Sequence, residues 1–133
     1  MNIFEVYKLI KRGHDLKIIT PDYLHMSRKL QEEVSELVDL LENNPDRVLL
    51  LDEIGDVLVC VFRITYHLHI SPIVALANAV RKVSSRFDEM DRILKGGGMT
   101  HHNLTRTDAI NLYKNAKQRV IERKEVACGH DGH

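Results

Sequence analysis

Each proline in this 133-residue chain follows a residue that caps helices: Thr20-Pro21, Asn44-Pro45 and Ser71-Pro72. Proline suits the first helical position, where its missing N–H costs nothing, and the side-chain oxygen before it can accept a bond from the first turn. The three pairs therefore mark three helix starts. They predict a short helix near residues 2–12 ended by Gly13, then long helices near 21–43, 45–70 and 72–95, the last stopped by Gly96-Gly97-Gly98. Thr107-Asp108 opens a final helix to about residue 125, and residues 126–133 are expected as a flexible tail. No segment alternates apolar and polar residues as a half-buried strand would. Short loops make sequential helices antiparallel. The expected fold is all-α: one domain over residues 1–133, an antiparallel bundle of three long helices with N-terminal and C-terminal helices.

Composition narrows the function classes. Lys+Arg and Asp+Glu both number 19, so the net charge is zero, which argues against holding long nucleic acid by phosphate neutralisation. Two cysteines make no disulfide framework, and a reducing cytoplasm is the expected compartment. The opening MNIFEVYKLIKRG is too interrupted by charge for a signal peptide, and no stretch reaches the roughly 20 apolar residues of a membrane span. Long apolar helices in so small a chain point to a homodimer that buries the surface left over.

The chemistry lies in two acid pairs. At about 100° per residue, Met26, Leu30, Val34, Leu37, Leu40 and Leu41 form one apolar arc of the first long helix, with Glu33 inside it and Glu36 at its edge. On the next helix Leu50, Val57, Cys60, Val61, Ile64 and Leu68 form the apolar face, with Glu53 inside it and Asp56 at its edge. Unpaired carboxylates among Leu and Val are costly, and four of them converging would repel. A divalent cation relieves both difficulties, and an all-oxygen set favours a hard ion, Mg²⁺ or Mn²⁺. The Glu-x-x-His pairs of di-iron bundles are missing. Satisfaction of Glu33 and Glu53 by Lys or Arg is the competing explanation.

Glu32-Glu33-Val34-Ser35-Glu36 followed by Glu53-Ile54-Gly55-Asp56 resembles the E-E-x-x-E … E-x-x-D signature of MazG-type, all-α nucleoside triphosphate pyrophosphohydrolases. LLDEIGDVLVCVF is similar to that family's E-x-G-D-x-L-F segment. The run from Ala75 to Thr100 resembles the helix that follows the acids in the MazG C-terminal domain, with its K-x-x-x-R-F core at Lys82, Arg86 and Phe87. NLYKNAKQ is similar to that domain's terminal helix, where an aromatic residue and a lysine four positions later contact the nucleotide. Those positions are Tyr113 and Lys117, and Tyr113 stands where the family usually carries Trp. The resemblance covers about residues 21–120. It implies a dimeric enzyme that hydrolyses nucleoside triphosphates between the α- and β-phosphates, giving monophosphate and pyrophosphate.

On that basis Glu33, Glu36, Glu53 and Asp56 are the expected metal ligands, and Glu36 is the candidate to orient the attacking water, with Glu32 its rival. Lys82 and Arg86, one turn apart, are expected to hold phosphate, although an ordinary solvated face has the same pattern. Lys117 can extend its amine from a buried edge. Tyr113 is expected to stack on the base, or else to serve as a core tyrosine. Two other readings compete: a phosphoribosyl-ATP pyrophosphohydrolase, and a helical dimerisation or regulatory module whose acids merely bind a stabilising ion. His67 and His69 are expected as helix-end residues, Cys60 as a small core hydrophobe, and Gly55 as a point of close backbone approach or room beside the metal.

Overall fold

A computed structural model describes residues 1–43 and 46–130. The elements are α1 (Ile3–Asp15), α2 (Tyr23–Asn43), α3 (Arg47–His67), α4 (Pro72–Gly96), a 3₁₀ turn (His101–Asn103) and α5 (Arg106–His130). No strand occurs among the described residues, so the all-α class is as expected.

The helix starts follow the expected physics with shifted residues. Ser71 caps α4, its Oγ accepting from the Val74 N–H at 3.3 Å, with Pro72 in the first helical position. At α2 the cap is Asp22 rather than Thr20, because the helix begins at Tyr23 and the Asp22 carboxylate accepts from the Leu24 N–H at 3.0 Å. Asp46 caps α3, accepting from Val48 and Leu49; the expected Asn44-Pro45 start lies outside the described residues. Thr105, not Thr107, caps α5.

Three helices end in the same six-residue hydrogen-bond pattern, with one residue in the left-handed region. At α4 that residue is Gly98, φ 67°. At α1 and α3 it is Lys17, φ 60°, and His69, φ 55°, side chains that this conformation strains. Gly13 therefore does not end α1. It lies within the helix, where an added Cβ would come within 2.5 Å of Ile19 Cδ1. Close approach, not termination, explains it. α5 continues to His130, past the end expected near 125, since nothing before Gly129 breaks it.

The chain forms two compact units, Met1–Ala75 and a second beginning at Leu76. In the first, α2 and α3 run antiparallel: Glu33 lies opposite Glu53 and Asp56, and Thr20 opposite Arg63. α1 packs on α3 through Tyr7 against Tyr66 and His14 against His67, with centroids 5.5 and 4.9 Å apart. Ile10, Met26 and Cys60 are buried here. Leu51, Ile54, Leu58 and Val61 remain exposed along α3.

In the second unit, α4 and α5 are joined by long side chains. Glu89, 2% exposed, accepts two bonds from Arg123 and one from Arg92 at 3.1 Å, with Arg119 at 3.8 Å. Leu94 and Ala116 are buried beside this polar latch in sequence, while Leu76, Val80 and Phe87 of α4 are exposed.

Candidate functional site

α2 and α3 position the acids because each is a long amphipathic helix with one carboxylate on its packed side. Glu33 is 7% exposed, Glu53 is half-buried and Asp56 is exposed. Each offers an oxygen to a cluster in which all such atoms lie within 4.8 Å of one another. Glu36 is exposed and stands outside that cluster, one turn further along α2. It still acts on Glu53 through its charge.

Two features mark an unmet demand for positive charge at Glu53. Glu53 Oε2 is shut off from solvent and has no hydrogen-bond partner among the described residues. Burial first, and then the charges of Glu36, Asp56, Glu33 and Asp52, push the Glu53 carboxyl above its ordinary 4.5. A hard divalent ion fits both: it supplies the missing partner of Oε2 and offsets the mutual repulsion of the acids. Glu33, Glu53 and Asp56 could hold such an ion.

Lys29 is a residue that the sequence reading passed over. Its Nζ lies 2.8 Å from Glu33 Oε1 and 3.6 Å from Glu32 Oε2. The Glu33 hydrogen bond raises the Lys29 ammonium above its ordinary range, against a smaller opposing effect of desolvation. The i,i+4 spacing of Lys29 and Glu33 was available as a signal, and it is the partner that the competing explanation for Glu33 required. Among the described residues Glu53 has no such partner.

Cys60 lies on the same stripe of α3 and is buried. Burial and the nearby Glu33 push its thiol up, which fits a core residue and not a nucleophile. A Cβ on Gly55 would meet nothing within 4 Å, so close backbone approach is not its explanation.

Lys82, Arg86, Tyr113 and Lys117 lie in the second unit. Arg86 Nη1 donates to the Tyr113 hydroxyl at 2.8 Å, and its guanidinium sits 5.6 Å from the ring centroid. Phe87 meets the same ring edge-on at 6.2 Å. Tyr113 and Lys117 line an open groove of about 500 Å³ with Arg106, Ile110 and Lys114. Lys82 is exposed on α4, one turn from Arg86. Arg86 and Tyr113 are thus brought together, and Tyr113 and Lys117 share a groove.

Among the described residues no helix is long and apolar enough to cross a membrane. Comparison with curated proteins and with solved structures finds no match. The family model of the MazG nucleotide pyrophosphohydrolase domain matches residues 22–90, a span holding both acid pairs together with Lys82 and Arg86. That match covers just over half of the chain, and the chain belongs to the MazG nucleotide pyrophosphohydrolase domain family.

Proposed function

We propose that the chain hydrolyses nucleoside triphosphates between the α- and β-phosphates, releasing a nucleoside monophosphate and pyrophosphate in a reaction that depends on Mg²⁺ or Mn²⁺. The observation that carries this reading is the oxygen cluster of Glu33, Glu53 and Asp56 within 4.8 Å, with an orphaned Glu53 oxygen in it. Glu36 completes the ligand set or orients the attacking water; its exposure one turn along α2 leaves its carboxylate open to a water. When bound, the ion supplies Lewis-acid stabilisation of phosphate charge and a water of lowered pKa.

The chain's own residues do the remainder. Lys82 and Arg86 neutralise phosphate oxygens. Lys117 donates to the nucleotide from the groove it shares with Tyr113, and the Tyr113 ring packs on the base. The Arg86 bond to the Tyr113 hydroxyl fixes that ring's edge, so a phosphate contact at Arg86 and a base contact at Tyr113 support each other. The exposed stripe of Leu51, Ile54, Leu58 and Val61 supports a homodimer that covers it. Free Cys60 and Cys128 fit a reducing cytoplasm.

The test is product analysis. A mixture of nucleoside triphosphates is incubated with the protein and Mg²⁺, and the products are separated. Monophosphate plus pyrophosphate, lost in Asp56→Asn and on chelation, is the expected result. Diphosphate plus phosphate would overturn the bond assignment. No turnover from any triphosphate would overturn the enzyme reading.

A further inference from the structure

Lys29 occupies an unusual place for a helical ion-pair lysine. Its partner Glu33 is 7% exposed and is one of the three clustered acids, whereas the lysine side chain itself is 42% exposed. The ammonium therefore reaches inward from the surface to a ligand oxygen at 2.8 Å. It stands where a cation is wanted, and it satisfies Glu33 while Glu53 Oε2 has no partner among the described residues.

We propose that Lys29 is a resident counter-cation for the acid cluster, displaced from Glu33 when a divalent ion binds, and that it then donates to a phosphate oxygen of the nucleotide. The inference rests on the triphosphate reading above and adds to it a binding residue with two successive partners. Three points carry it. A divalent ion held by Glu33 repels an ammonium that lies 2.8 Å from Glu33 Oε1, whichever carboxylate oxygen the ion takes, so the two cations compete. Lys29 is anchored one turn before Glu33, so its amine stays beside the cluster after release. The freed ammonium has Glu32 within reach, at 3.6 Å and 64% exposed, as only a weak, hydrated alternative. A phosphate held at the cluster offers far more negative charge, and lysine suits phosphate as a compact point charge.

The two roles give opposite signs in one variant. Lys29→Met removes the competitor, so Mn²⁺ titrated calorimetrically into the nucleotide-free protein should bind several-fold more tightly. The same variant loses a phosphate ligand, so an α,β-methylene triphosphate analogue with Mn²⁺ should bind about tenfold more weakly, the usual scale for a charge-assisted contact. Arg28→Gln, which removes a neighbouring exposed charge that is not bonded to the cluster, should leave both affinities within about twofold, which separates contact from general field. Lys29→Gln serves as a second variant, and thermal melting confirms that each is folded.

Both affinities unchanged, both shifted the same way, or metal affinity alone shifted would overturn the proposal. Its failure is distinguishable from failure of the function. Wild-type protein that binds Mn²⁺ and turns over triphosphate without the opposite shifts defeats only the role of Lys29. Wild-type protein that neither binds Mn²⁺ nor turns over defeats the underlying reading.

Discussion

Glu89→Gln is the perturbation whose size follows most directly from contacts in the second unit. The native carboxylate, 2% exposed, accepts two bonds from Arg123 and one from Arg92 at 3.1 Å. Glutamine keeps the shape, removes the charge and turns one acceptor oxygen into a donor that faces guanidinium. Hydrogen bonds to charged groups contribute about 1.5–3 kcal/mol each, but losses on one residue are not additive. Two effects reduce the sum. The three arginine side chains are 50–65% exposed and can rehydrate. Removing a buried anion also relieves its desolvation. The net loss expected is about 2–3 kcal/mol. Arg123→Met leaves the carboxylate buried with weaker partners and should cost more, about 3–4 kcal/mol. Urea unfolding followed by circular dichroism measures both. Glu89 lies one turn beyond Arg86, and Arg123 follows Lys117 on α5, so both variants should also raise KM. A Glu89→Gln loss below about 0.5 kcal/mol, or one larger than that of Arg123→Met, would refute the reasoning.

Other outcomes follow from single residues. Gly55→Ala fills open space in a helix and should raise stability by about 1 kcal/mol, read as a higher urea midpoint, with Mn²⁺ affinity unchanged. His69→Gly and Lys17→Gly relieve left-handed backbone and should each stabilise by about 1 kcal/mol in the same assay. For Glu53 the folded pKa lies above the ordinary 4.5, so its contribution to stability is complete below 4.5 and disappears as pH rises through the raised value. Metal-free protein should therefore lose stability over that window relative to Glu53→Gln, as thermal melts across pH will show. Proton competition has the opposite consequence for the ion, and Mg²⁺ affinity should fall as pH drops through the same window.

Much of the site was legible because it is periodic. Glu33 and Glu53 intrude on apolar arcs, and the structure puts one among the buried residues and the other half-buried. On a helical wheel Glu36 and Asp56 both sit at the edge of their arcs, yet only Asp56 joins the 4.8 Å cluster, since a wheel gives direction but not which acid the partner helix meets. The start of α4 was visible from Ser71-Pro72 and its end from the glycine run, while the α2 cap falls two residues past Thr20. The non-glycine ends at Lys17 and His69 were hidden, because packing there overrides local preference. The Glu89 latch was equally hidden: Arg92 lies within reach in sequence, but Arg119 and Arg123 meet it only through the fold of α4 against α5.

The acid cluster as a hard-metal centre is most directly tested by anomalous diffraction from crystals grown with Mn²⁺. A peak within coordination distance of Glu33, Glu53 and Asp56, lost in Glu53→Gln crystals, is the expected result. Ordered density for those three side chains with no anomalous peak between them, at saturating Mn²⁺, would contradict it.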